Sequence, residues 1–87
     1  MALDILKDNP RSILLCMCGS RCHQLVNENK YLKDRIDSIW CYKSITVGGN
    51  VDEVIIDDGD CIPLSFLIEC INHFQKIQIK ITITTSS

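Results

Sequence analysis

Residues 9–41 read NPRSILLCMCGSRCHQLVNENKYLKDRIDSIWC, and the period found in this stretch decides the fold. Asn9-Pro10 is a good helix start, because asparagine caps free N–H groups and proline at the first helical position gives up a donor that has no partner there. From that start a seven-residue repeat can be followed. Leu15, Cys22, Asn29 and Ile36 fall at position a, and Cys18, Leu25, Leu32 and Ile39 at position d. The one polar member, Asn29, is the residue type that fixes register and strand number at an a position of a two-stranded parallel coiled coil. Glu28 at g also meets Lys33 at e of a partner as an attractive pair. The spacing therefore predicts one helix over residues 10–41. Its oligomer interface is Leu15, Cys18, Cys22, Leu25, Asn29, Leu32, Ile36 and Ile39, in a parallel homodimer where Asn29 bonds Asn29 of the second copy. Residues 15–39 would span roughly 37 Å at 1.5 Å per residue, more than a small sheet can cover. Gly19 and Ser20 weaken the first heptad, the glycine alone by about 1 kcal/mol, so the helix bends or begins there. The plainer alternative is an amphipathic helix lying on its own sheet, since the coiled-coil and straight-helix periods are close.

Beyond Trp40 the period changes. Residues 43–47 read as a strand, Gly48-Gly49-Asn50 as a turn and residues 51–56 as a second strand, together a hairpin. Asp58-Gly59 marks another turn, and Pro63 opens a short helix in which Leu64, Leu67, Ile68, Ile71 and Phe74 share a face. Ile77, Ile79, Ile81 and Ile83 then alternate with Gln78, Lys80, Thr82 and Thr84, a strand with its isoleucines toward a core and its polar residues toward water. The expected fold class is α+β in the order α-β-β-α-β: a long heptad-patterned helix followed by a small ββαβ unit over residues 43–85, all within a single domain of residues 1–87.

A chain of 87 residues buries only about 60–65% of its unfolded surface, so the core is thin. Fourteen isoleucines against one alanine, Ala2, suggest an AT-rich coding sequence of the sort found in a virus, a plasmid or an AT-rich microbe. Asp4 and Asp8 precede the short apolar run 13–18, which is the wrong order for a secretory signal. No stretch approaches the roughly 18 apolar residues of a membrane span. These features predict an intracellular protein, cytoplasmic or nuclear, whose six cysteines are reduced thiols or metal ligands and not disulfides.

Net charge is −2, unevenly spread: residues 1–43 carry seven Lys/Arg and five Asp/Glu, whereas residues 44–75 carry six acids and no Lys or Arg. Asp52, Glu53, Asp57, Asp58 and Asp60 would repel a phosphate backbone, so nucleic-acid binding is disfavoured.

The densest set of possible ligands is Cys16, Cys18, Cys22 and His23. Zinc accepts such donors. On a continuous helix, however, Cys18 and Cys22 share a face while Cys16 and His23 point away, so one chain closes a tetrahedron only by breaking at Gly19. The competing reading makes these cysteines small apolar seam and core residues. Cys41, Cys61 and Cys70 sit among apolar neighbours and read as packing residues. A nucleophilic cysteine would need His23 or His73 as base, and His73 reads as complementing the negative end of its helix. No catalytic residue is predicted. Asp57-Asp58-Gly59-Asp60 lacks the alternation of a calcium loop and reads as a solvated turn. The expected function is that of a non-enzymatic accessory or regulatory protein, acting without a cofactor by self-association and contact with a protein partner. The alternative is a zinc-binding regulatory or nucleic-acid-associated module built on Cys16, Cys18, Cys22 and His23.

Overall fold

A four-stranded parallel sheet takes the place of the long helix and the hairpin that were expected, and the terminal isoleucine-rich strand is its fourth member. The computed structural model describes residues 2–17, 19–45 and 51–85. α1 (Ala2–Asp8) leads into β1 (Ser12–Cys16), and α2 (Gly19–Glu28) with a 3-10 segment (Lys30–Arg35) leads into β2 (Ile36–Ser38). A second 3-10 segment (Ile39–Ser44) precedes β3 (Glu53–Ile56); a 3-10 turn (Gly59–Cys61) and α3 (Leu64–Lys76) precede β4 (Lys80–Ile83). The longest of these helices, α3, has 13 residues, so the helix over residues 10–41 and the order α-β-β-α-β are both overturned.

The reason begins at Asn9-Pro10. The Ser12 N–H donates to the Asn9 carbonyl at 3.1 Å and the Arg11 N–H to Asn9 Oδ1 at 3.0 Å, which closes a four-residue turn with proline in second place. Asparagine and proline favour this turn for the same reasons that they favour a helix start, so the dipeptide alone cannot separate the two. The apolar run that follows is a strand covered on both sides, the pattern typical of parallel sheets. Leu14 and Cys16 pack on one face of the sheet and Ile13 and Leu15 on the other. Gly19 is where α2 begins. The heptad match over residues 15–39 is thus divided among a strand, a helix, a 3-10 segment, a second strand and another 3-10 segment.

The sheet order is β2-β1-β3-β4. One face carries α1, α2 and the Lys30–Arg35 segment, whose Leu6, Leu25 and Leu32 pack on Leu14, Ile36 and Ile55. The other carries Ile39–Ser44 and α3, with Tyr42, Cys70 and Phe74 on Leu15, Val54 and Ile56. The chain moves from β1 to β2 across the first face, then the opposite way from β2 to β3 and β4 across the second. All three crossovers therefore have one hand, as the strong chirality of parallel connections requires. β3 pairs in parallel with β1 and β4, so it is no hairpin strand. Residues 43 and 44 belong to the 3-10 segment, and the predicted Gly48-Gly49-Asn50 turn lies outside the described residues.

Three polar devices hold this small structure. Arg35 donates from Nε to the Ser12 carbonyl and from Nη2 to the carbonyls of Leu6 and Asn9 and to Ser12 Oγ, putting a cation on the carbonyl end of α1. Glu53, buried at the start of β3, accepts from Thr82 Oγ1 at 2.6 Å and from Asn9 Nδ2 at 3.1 Å. Those two bonds, Thr82 first, outweigh burial and hold its carboxyl below the ordinary glutamate value. Thr82 and Thr84 are therefore partly buried, not turned to water as the alternation predicted. Gly59 donates its N–H to the Thr84 carbonyl at 2.8 Å, and a Cβ there would lie 2.3 Å from Ile83 Cγ2, so only glycine lets the chain pass this close to β4.

Candidate functional site

Of the predicted metal set, the fold brings Cys16 and Cys22 together. Cys16 ends β1 fully buried, and its thiol is pushed far above its ordinary value, first by burial and then by its bond with the Cys22 thiol. A thiol held protonated in this way is a poor nucleophile and a poor ligand. Cys22, in α2, donates to the Asp37 carbonyl at 3.4 Å. His23 points to solvent, and Cys18 lies outside the described residues. Among the described residues no three His, Cys, Asp or Glu side chains come together in a group able to hold a metal ion. Cys70 is buried, which raises its thiol to about 11, whereas Cys41 and Cys61 are exposed and do not pack as predicted.

The predicted seam is likewise dispersed. Leu15, Leu25, Leu32, Ile36 and Ile39 are all buried within the chain's own core, Leu15 and Ile39 on one face of the sheet and the other three on the opposite face. Asn29 sits between α2 and the 3-10 segment and donates its Nδ2 to the Leu25 carbonyl at 3.2 Å, so its amide has a partner in its own chain. With no helix spanning these residues, the coiled coil is overturned.

A different apolar surface takes its place along β4. Phe66 and His73 of α3 turn toward the Ile39–Ser44 segment: Tyr42 meets their rings edge-on at 5.5 and 5.3 Å, and His73 Nε2 lies 3.0 Å from the Ile45 carbonyl. His73 thus ties α3 to the neighbouring segment and is more than a complement to the helix end. At 3.6 residues per turn, Leu64, Leu67, Ile68 and Ile71 lie on the opposite flank, the one beyond β4. Phe74 is fully buried, as its predicted face requires, but Leu64 is 71% exposed and Ile68 47%. The apolar face of α3 is wider than the sheet beneath it. Ile83 of β4, on the same side of the sheet, is 41% exposed.

β4 is also the edge of the sheet. Its Lys80 and Thr84 N–H groups donate inward, to the carbonyls of Asp52 at 3.1 Å and Ile56 at 2.9 Å. Alternation along the strand then points the N–H and C=O groups of Ile81 and Ile83 outward. Neither proline nor an inward-facing charge interrupts this edge.

On the first face, a cavity of about 330 Å³ lies between α1, α2 and the carboxyl ends of β3 and β4, lined among others by Leu3, Arg21, Leu25, Asp57, Asp58 and Thr85. Arg21 Nε donates to Asp57 Oδ2 at 3.3 Å, and Thr84 Oγ1 reaches Asp57 Oδ1 at 3.4 Å. Burial is the largest single influence and works against the guanidinium's charge, but the bond to Asp57 and the negative charges of Asp57 and Asp58 together outweigh it and raise the Arg21 value. Asp57 is buried and Asp58 half-buried in the left-handed region at φ 52°, so Asp57-Asp58-Gly59-Asp60 is not the solvated turn expected. No local pattern signals the Arg21–Asp57 pair, whose members lie 36 residues apart. The only hint is an acid placed directly after the apolar run Val54-Ile55-Ile56.

No protein-family model, curated protein or solved structure matches the chain. Among the described residues no helix is long and apolar enough to cross a membrane.

Proposed function

We propose that the chain is a non-enzymatic accessory or regulatory protein that acts by protein contact, and that its working form is a dimer joined along β4. The observation that supports this is the coincidence of a strand edge unpaired among the described residues with exposed Leu64, Ile68 and Ile83 on one side of the molecule. Two copies related by a two-fold axis at Thr82 pair their β4 strands antiparallel. Ile81 of each copy exchanges both hydrogen bonds with Ile83 of the other, and Thr82 faces Thr82. The isoleucines then meet across the junction beneath the two α3 helices, where Leu64 and Ile68 complete the contact, and the sheet continues through both copies.

Sedimentation equilibrium over a range of concentrations tests this reading. The wild-type chain is expected to be dimeric at tens of micromolar. Ile83→Pro removes an outward N–H without touching the bonds to β3, so it is expected to give a monomer with unchanged circular dichroism. A wild-type monomer, or an Ile83→Pro variant that still dimerises, contradicts the proposal.

A further inference from the structure

The cavity on the opposite face of the sheet holds one carboxylate, that of Asp58, beyond the Arg21–Asp57 ion pair. In a parallel sheet whose strand order reverses, the crevice outside the carboxyl ends of the strands at the reversal is where ligands are received. Here the reversal falls between β1 and β3, which run next to each other while the chain leaves them in opposite directions. Arg21 stands in α2, directly after β1, and Asp57 and Asp58 directly follow β3. The volume of about 330 Å³ lies at the small end of the range for ligand pockets.

Charge and hydrogen bonding narrow what fits. Arg21 is compensated by Asp57 at 3.3 Å through Nε, and neither of its Nη groups bonds within the described residues. The Asp58 carboxylate accepts no hydrogen bond among those residues either; the Arg21 charge acts on it as well as on Asp57, so one cation faces two carboxylates and the three groups together carry one net negative charge. The half-exposed Leu3 supplies an apolar surface, with Leu14 and Leu25 almost wholly buried beneath. The cavity therefore offers one unbalanced negative charge, one set of hydrogen-bond donors and a hydrophobic surface. An anion is repelled by Asp58, and a plain hydrocarbon leaves both charged groups unsatisfied.

We infer that this cavity binds an α-ammonium group next to a neutral carbonyl and an apolar side chain, the chemistry of a peptide N-terminus. The ammonium pairs with Asp58, the carbonyl oxygen accepts from the Arg21 Nη groups, and the side chain lies on Leu3. A free amino acid fits less well, because its carboxylate leaves the net charge of the cavity uncompensated.

Leucinamide is the direct probe, with leucine, 4-methylpentanamide and 3-methylbutylamine as comparisons that add a negative charge, remove the ammonium and remove the carbonyl. Binding is followed by amide chemical shifts of the wild-type chain. Leucinamide is expected to move the signals of Arg21, Asp58 and Thr85 and to bind at least tenfold more tightly than any of the three comparisons. Asp58→Asn keeps a residue that tolerates the left-handed backbone, so the fold is retained, and it should weaken leucinamide at least tenfold. Arg21→Gln should weaken it by a similar factor while bringing its affinity down to that of 3-methylbutylamine. No shift with leucinamide at millimolar concentration, equal binding of 4-methylpentanamide, or undiminished binding to Asp58→Asn overturns the inference.

Discussion

The two edges of the sheet are built to opposite ends. β2 has three residues, lies between two 3-10 segments, carries the exposed Asp37 and gives the Asp37 carbonyl to Cys22. Such an edge is short, charged and already occupied, the usual protection against a stray strand. β4 is one residue longer and also carries an exposed charge, Lys80, at its start, but it turns the N–H and C=O groups of Ile81 and Ile83 outward and has exposed isoleucine and leucine beside it. The same chain that closes one edge leaves the other open. Tyr31 and Trp40 are exposed as well, in the segments that flank β2, but only beside β4 does exposed apolar surface adjoin outward N–H and C=O groups, and that is why β4 is assigned to association.

The contrast breaks most visibly in the core beneath α3. Phe74→Ala empties a fully buried site and is expected to cost about 3–5 kcal/mol. Leu64→Ser with Ile68→Ser, on the exposed flank of the same helix, should leave the monomer within about 0.5 kcal/mol of wild type and abolish its concentration-dependent stability. Urea denaturation at two protein concentrations reads both. Comparable loss of monomer stability from both variants would mean that the flank of α3 is packed within its own chain.

At the β2 side, Arg35→Lys replaces a forked donor bound to three carbonyls by a single ammonium. A loss of about 1.5–3 kcal/mol is expected, with the sedimentation of the folded chain unchanged. At the β4 side, Gly59→Ala forces Ile83 outward and should cost about 1–3 kcal/mol. Unlike Arg35→Lys, it should also weaken the dimer. If both variants weaken association equally, the two edges are not independent.

The smallest effect concerns acid. Glu53 has a folded value below its ordinary 4.5, so the stability it contributes is fully present above that pH and is lost as pH falls through the lowered folded value. Thr82→Val removes the leading cause of the depression. Its acid unfolding midpoint should therefore move to higher pH, with little change at pH 7 beyond one lost hydrogen bond. An unmoved midpoint would show that Asn9 alone holds the carboxylate.

How much of this could be read in advance differs along the chain. α3 was legible from Pro63 and its apolar spacing, and β4 from alternating isoleucines, because both carry one strong period with a start signal. The width of the apolar face on α3 was visible too, but not that Leu64 and Ile68 would overhang the sheet. Residues 9–41 misled because Asn-Pro serves turns and helix starts alike, and because a five-residue apolar strand contributes to any helical period laid across it. Parallel pairing left no local trace: β1 meets β3 through Leu14 and Ile55, which no turn connects. The Arg21–Asp57 pair was invisible for the same reason, since the crossover that joins them exists only in three dimensions.

Hydrogen exchange at β4 tests the central claim most directly, because the strand itself contains the control. Lys80 and Thr84 direct their N–H groups into the sheet, so their amides should exchange slowly at any concentration. Ile81 and Ile83 direct theirs to the open edge and are protected only by a second copy. The expected result is that the Ile81 and Ile83 amides are slow in concentrated protein and become fast on dilution, while those of Lys80 and Thr84 stay slow throughout. Fast exchange of Ile81 and Ile83 at every concentration, beside slow exchange of Lys80 and Thr84, would contradict pairing along β4.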